Sequence, residues 1–240
     1  MRALRIFAKD LRAYYLKAPV LSWGILFPVT VMALMSLNMR MFGESRVVPA
    51  MFSITLLFAS SSMAQVAISF EKLSGALARI LYLPLTGADL VLAKSLGGIA
   101  YGIGGAGVAA LVSYIVAGHL VMIRPLYFIL GVVLGAVVYS LISVLIAFYY
   151  DPVHAVAVLN IVRFSMVFLG GILFPKAFMP PRLAWLAYLF PSVYVTEVIR
   201  FGMYNTWDYI DPYTSLIVLA IAIAALAYAS ARIIIRILTP

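Results

Sequence analysis

The sequence predicts an all-α membrane protein with six transmembrane helices, and three observations carry that prediction. Of 240 residues, 65% are hydrophobic and 10% charged, and the mean hydropathy is +1.11; a soluble domain of this length cannot hide so much apolar surface. The apolar residues fall in runs of about 20, the number a helix needs to cross a hydrocarbon core of about 30 Å. The charged residues gather between those runs.

Residues 1–17 place Arg2, Arg5, Lys9 and Arg12 on one helical stripe and Leu4, Phe7, Ala8, Leu11 and Tyr15 on another. That pattern predicts an amphipathic interfacial helix lying on an anionic leaflet of the lipid bilayer. Pro19 to Met39 is longer than the apolar core of a signal peptide, about 7 to 15 residues, and is read as the first span. Pro28 kinks it, having no N–H for the helical ladder. Further spans are predicted over 49–69, 90–117, 125–149, 155–174 and 214–235. Lys and Arg set the orientation. Ten lie in the N-terminal segment, the 70–94 loop and the C-terminal end, against six in the opposite loops, which places both termini and the 70–94 loop in the cytoplasm. The net charge of +9 is explained by this asymmetry, and no nucleic-acid partner is expected.

The loop from Phe70 to Lys94 has internal order. Leu73, Ala76, Leu77, Ile80 and Leu81 repeat at i, i+3, i+4, i+7 and i+8, the spacing of one helical face, while Glu71, Lys72 and Arg79 supply charge. The spacing predicts a short helix from Glu71 that ends near Leu83, because Pro84 cannot continue it. Thr86 followed by Asp89, just ahead of Leu90 and Val91, has the form of a capping box that starts the third span. In that span Gly98 and Gly102 form a GxxxG pair, as do Gly131 and Gly135 in the fourth; packing within one bundle explains such pairs better than a dimer seam.

After the fifth span, Pro175, Pro180, Pro181 and Pro191 bracket Leu183 to Phe190. Eight apolar residues cannot cross a membrane. The stretch 175–212 is therefore read as an extracytoplasmic re-entrant segment and loop, packed on the bundle or capping a cavity so that its backbone polar groups are satisfied.

Catalytic constellations are absent. The sequence has no GxxxxGK[ST] phosphate loop, no HExxH and no GxSxG. With 0 cysteines it has no disulfide, thiol nucleophile or cysteine-ligated metal. His119 and His154 are too few for a histidine metal site. All eight carboxylates fall in flanks or loops on this span map, with no evident buried pair. Arg163 is the exceptional charge, lying inside a span at a cost of at least about 2.5 to 3.5 kcal/mol. It marks either a cavity that meets an anionic or polar substrate, with Asn160 one turn away on the same face, or a structural bridge to a neighbouring helix. Glu197 and Arg200 stand at i, i+3, where an exposed pair contributes little.

Two sets of residues resemble the permease subunits of ABC-2 type exporters. Glu71-Lys72, Gly75-Ala76-Leu77, Pro84-Leu85 and Lys94 are similar to that family's cytoplasmic segment between the second and third spans, with Ala78 where the pattern often has an acidic residue. Gly171, Phe174-Pro175, Pro180 or Pro181, Leu189, Pro191, Tyr194, Glu197 and Arg200 resemble its stretch after the fifth span. The resemblance covers nearly the whole chain as one domain, 1–240. It implies a non-catalytic permease subunit in a prokaryotic plasma (inner) membrane, paired with a second permease copy, identical or related. It also implies a separate ABC ATPase subunit, which would hold ATP and Mg while this chain binds no cofactor. On the same basis Glu71, Lys72, Gly75, Arg79 and Pro84 are expected to form the ATPase-coupling segment. Pro175, Pro191, Tyr194, Glu197 and Arg200 are expected to form the outer re-entrant element. A passive channel or anchor would share the spans without needing the amphipathic loop, and an intramembrane enzyme would need more convergent polar groups at depth than Arg163 and Asn160 supply.

Overall fold

A computed structural model describes residues 13–14, 17–37, 39–81 and 86–238. Among them every regular element is helical. The principal helices are α1 (Ala18–Leu37), α2 (Glu44–Leu73), α3 (Ala76–Leu81), α4 (Gly87–Ala117), α5 (Pro125–Tyr149), α6 (Pro152–Phe168), α7 (Pro191–Tyr204) and α8 (Pro212–Leu238). Most of the predicted interfacial helix, 1–17, lies outside the described residues, as does Pro84.

Five of these helices are long and apolar enough to cross a membrane: α1, α2, α4, α5 and α8. The fifth predicted span, 155–174, is the shorter α6, whose 17 residues reach about 25 Å at 1.5 Å each. It stops at Phe168 because Gly170 and Gly171 follow: Gly171 has φ +71°, and a Cβ on Gly170 would lie 2.4 Å from the Met166 carbonyl oxygen. In α1 the irregularity expected at Pro28 takes the form of a π-turn, Ser22–Leu26, in the stretch where the proline has no N–H to bond back.

The bundle is organised around α2. Every residue from Val47 to Ser69 is buried, and α1, α4, α5, α6 and α7 all pack on it. Close approach by α4 depends on its glycines. A Cβ on Gly102 would fall 1.9 Å from Ser60 Oγ, and one on Gly98 would fall 2.5 Å from the Ser60 carbonyl oxygen. Gly131 and Gly135 seat Ile199 and Val195 of α7 against α5 in the same way. Both GxxxG pairs therefore serve packing within one chain, where small residues let backbones meet.

The re-entrant region contains more helix than its sequence reading. Pro181–Ala184 and Trp185–Leu189 form short turns, and α7 then runs back for 14 residues with Ser192 to Met203 all buried. Pro191 opens α7 at its first position, where a missing N–H is harmless, and Asn205, at φ 54°, ends it.

Replacing Gly102 with Ala should destabilise the protein by about 1 to 3 kcal/mol through overpacking against α2. Gly104→Ala, with no neighbour within 4 Å of the added Cβ, should leave thermal unfolding in detergent unchanged. Equal melting temperatures for the two variants would contradict this account of the α2–α4 contact.

Candidate functional site

Three sites emerge from this packing: a charged knot where the 74–86 connector joins the bundle, a largely apolar cavity that runs from Arg163 toward the same end, and the re-entrant hairpin at the opposite end.

At the connector end α2 continues without a break through Phe70 to Leu73 and is closed by Ser74. Gly75 then takes the left-handed conformation, φ +67°, which is cheap for glycine alone, and α3 follows. The predicted helix from Glu71 to Leu83 is thus two pieces, and its apolar stripe is divided. Leu73 at the end of α2 is 72% exposed, whereas Leu77 in α3 is buried with Ile68, Leu90, Val91, Val144 and Phe148. Thr86 and Asp89 form the predicted capping box, with Asp89 N–H donating to Thr86 Oγ1 at 3.1 Å and Thr86 N–H to Asp89 Oδ2 at 3.1 Å.

The charged residues of this segment divide between inside and outside. Glu71 points inward and pairs with Lys94 of α4 at 2.5 Å, both side chains 0% exposed. This corrects the reading that no carboxylate forms a buried pair. The span map ended the second span at 69 and left Glu71 in the loop, whereas Lys94, inside the predicted 90–117 span, was counted with the loop cations; α2 in fact continues to Leu73 and carries Glu71 into the core beside it. Lys72 donates to the carbonyl oxygens of Phe148 at 2.9 Å and Tyr150 at 2.8 Å. It thereby satisfies orphan acceptors at the C-terminus of α5, where a cation is favoured. Gly75 and Arg79 remain exposed. Beside the knot, Asp151 caps α6 and accepts from the N–H groups of His154 and Val153. Those bonds, the one from His154 foremost, hold its carboxyl below its ordinary pKa.

Arg163 and Asn160 line one cavity of about 410 Å³ along α2 and α6. Its polar wall comprises Ser62, Gln65 and Ser69 of α2 with Asn160 and Arg163, and its apolar wall includes Trp23 of α1, Phe70 and Val156. The Arg163 guanidinium donates to Ser61 Oγ at 2.7 Å, Ser62 Oγ at 3.0 Å and Asn160 Oδ1 at 3.1 Å, and lies 5.3 Å from the Phe58 ring centre. The bridge to a neighbouring helix is therefore made through hydroxyls. Gln65 donates in turn to Ser69 Oγ at 2.9 Å. Sequence reasoning missed this serine and glutamine face of α2, although the run Ser60-Ser61-Ser62 inside an apolar span is a visible signal.

At the far end Glu197 and Arg200 pair with side chains 0% and 4% exposed. Glu197 also accepts from the N–H groups of Asp208 at 2.8 Å and Tyr209 at 3.3 Å. The pair is buried, not exposed as its i, i+3 spacing implied, and it fixes the 205–211 loop over α7. Tyr194 donates to the Tyr188 carbonyl at 2.7 Å, joining the two arms of the hairpin. Pro175 is buried and borders a smaller cavity with Arg46 and Arg200.

Apolar helices of spanning length, packed on a buried central helix with a cavity beside it, are the architecture of a membrane protein. The ABC-2 type transporter family matches residues 3–204, and the chain belongs to that family. No curated protein sequence matches it.

Removing one charge from the buried knot, as in Glu71→Gln or Lys94→Met, should cost about 3 to 5 kcal/mol by stranding its partner, and Glu71→Leu with Lys94→Met together should recover most of that loss. Thermal unfolding of the two single variants and the double variant measures the coupling. Additive losses would mean that the two charges do not depend on each other.

Proposed function

We propose that this chain is the permease half of an ATP-driven exporter, with two copies, identical or related, enclosing the translocation path. Each is served by a separate ABC ATPase subunit that holds ATP and Mg. The surrounding membrane is a prokaryotic plasma membrane, with both termini and the connector in the cytoplasm; the distribution of Lys and Arg supports that orientation.

One observation carries the reading: the helices on either side of the connector, α2 and α4, are joined by the buried Glu71–Lys94 pair. A force applied to α3 reaches α2, α4 and α5 together, because Leu77 is packed among them and Lys72 ties the end of α2 to the end of α5. Glu71 is therefore assigned the internal anchor, Lys72 a strut, and Arg79 and the Gly75 turn the contact with the ATPase. Pro84 separates the pushed helix from the start of α4. Family membership supports the ATPase as the source of the force, since an uphill step needs energy delivered from outside this chain. Displacement of α2 against α6 would alter access to the cavity that holds Arg163 and Asn160. At the other end, the hairpin stabilised by Pro175, Pro191, Tyr194, Glu197 and Arg200 closes the path outward.

Arg79→Glu reverses an exposed charge without touching the buried knot. It should lower recovery of the ATPase with the tagged permease at least fivefold in mild detergent, while the permease keeps its melting temperature. Undiminished recovery and undiminished ATP hydrolysis by the complex would contradict the assignment.

A further inference from the structure

We infer that the cavity along α2 and α6 receives an anionic amphiphile, a single negatively charged head carrying an apolar chain; this names a substrate class for the permease reading above and rests on it. Three cations are buried among the described residues: Lys94, Arg163 and Arg200. Lys94 has Glu71 and Arg200 has Glu197, but the partners of Arg163 are two serines and an asparagine, all neutral. A guanidinium has five N–H donors, so these three bonds leave two for another acceptor. A buried charge met only by dipoles keeps its field in low-dielectric surroundings and is completed by an opposite charge.

The shape of the cavity specifies the rest of the ligand. Its volume of about 410 Å³ is many times the ~30 Å³ share of one water, so it holds more than a bare anion. Gln65 and Ser69 continue the polar wall beyond Arg163 toward the connector end, which suits a head with hydrogen-bonding oxygens. Trp23, Phe70 and Val156 supply apolar lining to the same cavity. Trp23 is 37% exposed and Val156, one turn into α6, 41% exposed. A chain can thus lie along that lining with its end in lipid.

Trp23 provides the test. The protein has three tryptophans, so Trp185→Phe with Trp207→Phe leaves Trp23 as the sole tryptophan, excited selectively at the red edge beyond tyrosine absorption and read in phosphatidylcholine nanodiscs without any ATPase. Bromododecyl phosphate should quench Trp23 saturably, at a half-saturating concentration at least tenfold below that of bromododecyl trimethylammonium. Arg163→Gln should raise that concentration at least tenfold, and Arg163→Lys should raise it less. Inorganic phosphate should displace the probe only at far higher concentration. Equal quenching by both charge types in the wild-type cavity would overturn the inference whether or not the Arg163 variants fold. Unchanged quenching in folded Arg163→Gln would overturn it too, as would complete displacement by equimolar inorganic phosphate. Because the permease is measured alone, such a failure leaves the exporter reading to be decided by ATPase recovery.

Discussion

Two opposite charges enclosed at the connector end, on Glu71 and Lys94, determine how the rest of the molecule can move. Taking each ion out of water costs several kcal/mol, and the cost is offset only while the two remain in contact with their other polar groups satisfied. Sliding α2 past α4 at this end would expose or separate them. The glycine contacts around Ser60 make the same two helices inseparable at mid-depth, so α2 and α4 behave as one body. Lys72 extends that body to the end of α5, and Leu77 brings the connector helix into its apolar core. A small exposed surface near Arg79 is therefore connected through packing to several long helices at once.

The re-entrant end uses the same device in another place. Glu197 and Arg200 are buried together and the carboxylate also collects two backbone N–H groups, so a stretch too short to span is held rigidly against α5 and α2. Arg163 departs from both patterns. Its hydroxyl and amide partners orient the guanidinium without neutralising it, and the cavity beside it has room for what would. Charge is thus paired with charge at the two ends and met only by neutral groups at Arg163, which is the contrast on which the proposed ligand site rests.

Much of this was legible in residue order. Hydropathy located the long helices and the Thr86–Asp89 spacing located a cap that is present, whereas the buried helix that begins at Pro191 was read as part of a re-entrant segment and loop. The boundaries were harder to read because apolar runs measure the part of a helix in hydrocarbon, whereas α2 and α4 continue into polar sequence. That is why Glu71 was read as a loop charge, and why Lys94, although inside the predicted 90–117 span, was counted with the loop cations. Periodicity also carried the connector stripe through Ser74 and Gly75, since a repeat of apolar residues does not report a left-handed turn between them. Partners distant in sequence, such as Ser61 and Ser62 for Arg163, are fixed by tertiary packing and leave no local pattern. Asn160 was legible because it sits one turn away on the same helix.

The claim that α2 and α4 move as one body at the connector end can be measured directly, because a chain with 0 cysteines accepts paired spin labels without background. Labels at the exposed positions Leu73 and Leu92 report across the knot, and labels at Leu73 and Val153 report from α2 to α6. In the complex with the ATPase, adding ATP should leave the 73–92 distance distribution unchanged while the 73–153 distribution shifts. A 73–92 distance that changes on ATP addition, with 73–153 fixed, would contradict the account.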